Sequence, residues 1–170
     1  MRLNFAVLTI SDRSADGIRE DKSGPALQEA IQNAGWLVAR SAIISDDHHE
    51  IVELLTGWSD SEKFDVILTT GGTGFAPRDN TPEATSEVIE RQAPGLAEAM
   101  RAGSLKITPH AMLSRAVAGI RKKTIIINLP GSPKGALENF RIVAPVLPHA
   151  VQLLLDDDQA EAGHRQTLAV

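Results

Sequence analysis

Cysteine is absent from all 170 residues, which excludes disulfides, thiolate metal sites and cysteine nucleophiles. Long apolar runs are absent too, and none approaches the ~18 residues that a membrane span requires. Basic clusters are also lacking: 17 lysines and arginines lie scattered among 22 acidic residues, for a net charge of -5. That argues against duplex nucleic acid as the main partner, because phosphate neutralisation needs a basic face. A phosphorylated small molecule remains open, because backbone N–H groups and helix N-termini hold small anions without one. No histidine falls at zinc-ligand spacing, and His110, His149 and His164 stand alone. His48 and His49 are adjacent, so on a helix they point about 100° apart and do not chelate one metal. Met1 to Phe5 runs straight into a strand-like segment without a small-residue cleavage site, so a cytoplasmic protein is expected.

What is present suits one globular domain. Hydrophobic residues make up 42% of a chain whose length fits a single unit, enough to bury a core without staples. Leu3 to Ile10 reads as a buried strand, followed by a polar loop from Ser11 to Lys22. Leu27, Ile31 and Ala34 share one helical face, and Gly35 stops that helix. Val38 to Ile44 reads as a second strand, and Ile51, Leu55 and Trp58 mark a second helix. Asp65 to Thr70 and Thr124 to Leu129 read as two more buried strands. Helices are expected from Pro82 with Thr81 as cap, shortly after Pro94-Gly95, and across Ala136 to Leu155 with breaks at Pro145 and Pro148. The stretch Gly103 to Gly119 carries no clear period. A domain over residues 1–155 is expected, with a frayed polar tail over 156–170.

Strand and helix patterns alternate, which predicts an α/β fold with a mainly parallel sheet between helical layers. Ligands of such sheets bind beyond the carboxyl ends of the strands. Four loops lie there: Ser11-Asp12-Arg13, Asp46-Asp47, Gly71 to Asp79, and Pro130 to Lys134.

The strongest local signal is Thr70-Gly71-Gly72-Thr73-Gly74, continuing to Arg78-Asp79. Three glycines straight after a buried strand let backbone N–H groups approach a ligand closely. The Walker lysine is missing, and Pro77 stands where the dinucleotide pattern needs Gly or Ala. A tight turn would explain the glycines alone. Arg78-Asp79 just before a helix start adds a cation and an anion, which suits a triphosphate-plus-metal site. Of Asp46 and Asp47, one is read as a helix cap and the other as joining Asp79 around Mg²⁺, which prefers one or two carboxylates plus substrate phosphates. Ser104 and Ser114 have no base nearby in sequence, so neither is expected as a nucleophile.

These residues resemble the MogA/MoaB family, and in particular its adenylyltransferases, which include the G domains of gephyrin and of the plant molybdenum cofactor enzyme. The likeness rests on Thr9 to Asp12, Asp21 to Pro25, Leu68 to Gly74, Pro77 to Asp79 with Thr81 to Thr85, and Pro94 to Leu96. It continues through Ser104 to Pro109, Ala111 to Arg115, Ala118 to Arg121, and Ile126 to Gly131. The resemblance implies a three-layer α/β/α sandwich, a homotrimer, and transfer of AMP from MgATP to the terminal phosphate of molybdopterin. It implies Asp46 and Asp79 as the catalytic, Mg²⁺-holding carboxylates. Ser104 and Ser114 would contact substrate, in a pocket also expected to include Ser11, Asp12, Thr70, Gly71, Gly72, Thr73, Gly74, Asn128, Pro130 and Gly131. A molybdenum insertase is an implied partner. Three rival readings are a non-catalytic molybdopterin-binding paralogue, a scaffold and a molybdenum insertase domain.

Overall fold

Asn4–Ile10 forms β1, and every residue from Phe5 to Ile10 is buried. Its side chains alternate between two cores, as strand geometry requires. Phe5 and Val7 pack with Leu27, Ile31, Leu68 and Phe140, whereas Ala6, Leu8 and Ile10 pack with Ile51, Leu55, Trp58 and Ile126. Burial on both faces is what a central strand covered by two helical layers demands. The computed structural model describes residues 1–155. The polar tail expected at 156–170 lies outside the described residues.

β1 is joined by β2 (Leu37–Ile44), β3 (Val66–Thr70), β4 (Arg91–Gln92), β5 (Ala118–Arg121) and β6 (Thr124–Leu129) in the order β2-β1-β3-β6-β5-β4. The first four in that order run parallel, and β5 and β4 are antiparallel additions at one edge. The helices are α1 (Asp12–Ala15), α2 (Ser23–Asn33), α3 (His48–Asp60), α4 (Thr81–Val88), α5 (Pro94–Leu105), α6 (Pro133–Val143) and α7 (Leu147–Leu154). α3 and α4 cover one face through Ile51, Leu55 and Val88. α2, α5, α6 and α7 cover the other through Leu27, Met100, Phe140 and Val151. The three-layer sandwich expected from the sequence is therefore present. Trp36 stacks on Phe5 at 5.2 Å between centroids and meets Phe140 edge-on at 6.3 Å, anchoring the α2 side.

β1 lies between β2 and β3, so the chain winds one way from β1 to β2 and the other way to reach β6. The switch point falls between β1 and β3, where open sheets of this kind leave a crevice. Ile10 and Thr70 end those two strands there.

Several boundaries differ from the sequence expectations. The polar loop after β1 contains the short α1, capped by the Ser11 side chain. α4 begins at Thr81 with Asn80 in the cap position, so Thr81 is helical and its hydroxyl donates instead to the Gly71 carbonyl at 2.9 Å. α6 starts at Pro133, earlier than expected, because the Ser132 side chain accepts from the Gly135 N–H and caps it. Pro145 breaks the last helical region, but Pro148 sits in the first turn of α7, where its missing N–H costs nothing. The unclear stretch from Gly103 to Gly119 contains the end of α5, a 3-10 turn at Pro109–Leu113 and the start of β5.

Candidate active site

At the switch point the glycine loop turns back sharply beside β1. Gly71 has φ +105°, and a Cβ there would overlap the Ile10 carbonyl. Gly72 has φ +62°, and its Cβ would overlap the Thr81 hydroxyl and lie 3.0 Å from Asp46 Oδ1. Side chains rarely adopt such positive φ, so both positions need glycine for backbone and space alike. This places Asp46 directly against the loop.

Of the two adjacent aspartates, the capping role falls to Asp47, whose carboxyl accepts from the Glu50 N–H at 2.9 Å at the start of α3. Asp46 turns the other way. Its N–H donates to Asp12 Oδ1 at 2.9 Å, and the Asp12 N–H donates back to Asp46 Oδ2 at 2.8 Å. Arg78 closes the group, donating from Nε to Asp12 Oδ2 at 2.6 Å and from Nη2 to Asp12 Oδ1 at 2.9 Å. The Arg78 guanidinium is the largest cause holding the Asp12 carboxyl below its usual range. Burial pushes the Asp46 carboxyl above its usual range, with the Asp12 and Asp79 charges adding to that. Asp79 Oδ2 accepts from the Ala76 N–H at 2.9 Å, folding the loop onto its own carboxylate.

The predicted residues divide between two cavities. Ser11, Asp12, Asp46, Thr70, Gly71, Gly72, Asp79 and Gly131 line a cleft of about 520 Å³. Thr73, Gly74, Ser104, Ser114 and Pro130 line a second cavity of about 280 Å³. The glycine loop is the partition, and Ser132 borders both spaces. Asn128 is a correction. It lines neither cavity and is fully buried, with Nδ2 donating to the Thr69 and Thr85 hydroxyls at 3.0 and 2.9 Å and Oδ1 accepting from the Val117 N–H. Its amide ties β6 to β3 and α4, with both Nδ2 donors engaged inside the protein.

Sequence reasoning missed the cations Arg13, Arg19 and Lys22, which line the cleft from the loop after β1. It also missed Asn139, whose Nδ2 donates to Ser104 Oγ at 3.1 Å in the second cavity. A carboxamide is no base, so Asn139 does not activate Ser104 as a nucleophile. Nothing in the residue pattern marks Asn139, which sits mid-helix in α6. Arg13, Arg19 and Lys22 were visible only as polar loop residues. His48 pairs with Glu87 on α4 at 2.9 Å and His49 with Glu53, and neither lines the cleft.

Among the described residues, no three His, Asp or Glu side chains converge as a metal cage. No helix among them is long and apolar enough to cross a membrane.

Comparison with known proteins points the same way. A family model described as a probable molybdopterin binding domain matches residues 6–149. A molybdopterin adenylyltransferase of Helicobacter pylori is 44% identical over 155 residues, covering 90% of this chain and 88% of that protein. Gephyrin of Dictyostelium discoideum is 45% identical over 158 residues, with 87% of this chain covering 22% of gephyrin's length. The crystal structure of the molybdopterin biosynthesis enzyme MoaB of Thermus thermophilus is 48% identical, with a TM-score of 0.86 over 91% of this chain and 98% of that one. With that match spanning most of its length, the chain belongs to the molybdopterin-binding domain family of molybdenum cofactor biosynthesis.

Proposed function

We propose that this protein is a molybdopterin adenylyltransferase, moving AMP from MgATP onto the terminal phosphate of molybdopterin with release of pyrophosphate. The observation that carries this reading is the pair of cavities meeting at one glycine loop, with Asp46 and Asp79 both against that loop. The name of the Helicobacter relative supports it. ATP fits the larger cleft, where Arg13, Arg19, Lys22 and Arg78 offer cations and Gly72 offers its backbone N–H. The pterin fits the second cavity, where Ser104, Ser114 and Asn139 offer neutral donors and acceptors.

Asp46 and Asp79 belong to no cage of three or more ligands among the described residues, which suits Mg²⁺ that arrives on ATP, since magnesium keeps waters and phosphate oxygens among its ligands. Asp46 and Asp79 would hold it, and bound there it neutralises phosphate charge. An oxygen of the molybdopterin phosphate attacks the α-phosphorus of ATP, and the bond to the β-phosphate oxygen breaks, releasing pyrophosphate. The nucleophile is already an anion, so the protein needs no general base. Its work is to align two polyanions and offset their charge. The glycine loop sets the α-phosphate at the partition, and Ser104 and Ser114 orient the incoming substrate.

The exposed apolar residues Leu105, Ile107, Met112 and Leu113 support a homotrimer, and a molybdenum insertase is the proposed recipient of the product. ATP supply favours the cytoplasm. A non-catalytic molybdopterin-binding paralogue is the second reading, and it shares the second cavity but has no use for paired carboxylates. Purified protein incubated with molybdopterin and ATP, with Mg²⁺ or with EDTA, separates the two. Adenylyl-molybdopterin seen by mass only with Mg²⁺ is expected. Molybdopterin binding without any product would overturn the proposal.

A further inference from the structure

Arg115 follows Ser114, but its side chain turns from the second cavity onto the Thr73–Asp79 segment, beside a third cavity lined also by Phe75, Pro77, Asp79 and Glu83. Its backbone N–H donates to the Thr73 carbonyl at 2.9 Å. Its Nε donates to the Gly74 carbonyl at 2.6 Å, Nη2 donates to the Asp79 carbonyl, and Nη1 pairs with Glu83 on α4. These four contacts grip both ends of the Thr73–Asp79 segment and the first turn of the helix that follows it. Between those ends the segment is held by the Arg78 pair with Asp12, and by itself through the Asp79 N–H to the Ala76 carbonyl at 2.9 Å and the Ala76 N–H to the Asp79 carboxyl at 2.9 Å. Phe75, Ala76, Pro77 and Arg78 are exposed, so no core packing fixes the loop from outside. A planar guanidinium with donors in a fixed fork suits two carbonyls and a carboxylate at once, and an ammonium does not.

We propose that Arg115 is the positioning residue of the transfer reaction, setting the Asp79 carboxylate and the Gly74 backbone relative to the segment that carries Ser114. Arg115 lines neither the ATP cleft nor the second cavity but borders a third, open cavity behind Asp79, so it acts through these groups rather than on substrate. The same side chain makes the place of Asp79 depend on the 3-10 turn at Pro109–Leu113 and on Ser114. A substrate seated against Ser114 thereby bears on the carboxylate across the partition.

This inference rests on the adenylyltransfer reading, and the assay tells the two apart because wild-type enzyme runs beside each variant. Absence of wild-type product defeats the reading itself. With wild-type product in hand, Arg115→Lys keeps the charge and most of the bulk but loses the fork. Its kcat is expected to fall on the order of 10-fold to 100-fold, as when one preorganised group is displaced. Molybdopterin affinity should stay within about threefold, because ground-state binding is untouched. The Mg²⁺ concentration for half-maximal rate should rise, since Asp79 is no longer held in place. Millimolar methylguanidinium should restore part of the rate to Arg115→Ala and none to Arg115→Lys, whose ammonium fills the space. Wild-type kcat in Arg115→Lys would overturn the inference. So would a loss confined to the KM for molybdopterin, which would mean direct contact, or melting of Arg115→Lys below the assay temperature, which would make the role one of stability alone.

Discussion

Asp12 and Asp46 exchange backbone hydrogen bonds, yet their carboxyls are pushed in opposite directions. Arg78 holds Asp12 in its ionised form, so the stability this gives is present above the ordinary carboxylate range and is lost as pH falls through the lowered value. Asp46 works the other way. Burial raises its folded value, so the native state binds the proton more tightly than the unfolded chain, and stability falls as pH rises from the ordinary value through the raised one. Ionising the buried Asp46 therefore costs stability, as expected of a carboxylate proposed to serve a ligand rather than the fold. Asp46→Asn, which still accepts from the Asp12 N–H, is expected to melt no lower than wild type at neutral pH without Mg²⁺. The difference should vanish as pH falls below the ordinary carboxylate range, where Asp46 is protonated in the folded and the unfolded chain alike. Turnover of the same variant should fall on the order of 10²-fold. Calorimetry across pH beside the mass assay reads both quantities, and a clear loss of stability at neutral pH would contradict the burial argument.

At the scale of elements, the strand-to-loop junctions decide what is held for structure and what is offered to ligand. Asn128 lies on β6 within the stretch that resembles the family, yet its three hydrogen bonds all close inside the protein. Asn128→Ala should cost about 2–4 kcal/mol in urea unfolding, since it strands buried partners, while KM for both substrates holds. A changed KM with unchanged stability would restore Asn128 as a ligand contact. Gly72→Ala tests the opposite kind of position. Its Cβ would press on Thr81 and approach Asp46, so turnover is expected to fall at least about 10-fold. Equal turnover in the mass assay would show that the loop has room to spare. β1, β3 and β6 were legible because each is a buried, mainly apolar run, and β2, which carries Arg40 and Ser41, because it lies between Gly35 and the Ser45-Asp46-Asp47 turn. β4 and β5 were not, since Arg91–Gln92 is two exposed residues and Ala118–Arg121 is four, too short to show a period. The choice between Asp46 and Asp47 was open in the sequence, because both suit a cap and only the fold shows which one turns inward.

For the whole molecule, topology gathers residues far apart in sequence at one sheet edge. The carboxyl ends of β1, β2, β3 and β6 were enough to anticipate which loops converge. Their division into two cavities was not legible, because it depends on how the glycine loop partitions the space. The second cavity also draws on α5 and α6, through Arg101, Ser104 and Asn139, which no strand-end rule points to. The apolar residues left exposed beyond α5 bear on assembly. Sedimentation is expected to give three times the 18.2 kDa chain mass, and Met112→Glu should shift it toward monomer. A monomeric wild-type protein would leave those residues without that role. The central claim is that the Asp46–Asp79 pair drives transfer between two separately bound substrates. Single-turnover formation of adenylyl-molybdopterin, with Asp46→Asn, Asp79→Asn and Ser114→Ala beside wild type, tests it most directly. The account predicts a slowed chemical step with intact molybdopterin binding for both aspartate variants, and weakened molybdopterin binding for Ser114→Ala. A wild-type chemical step in Asp46→Asn or Asp79→Asn would contradict it.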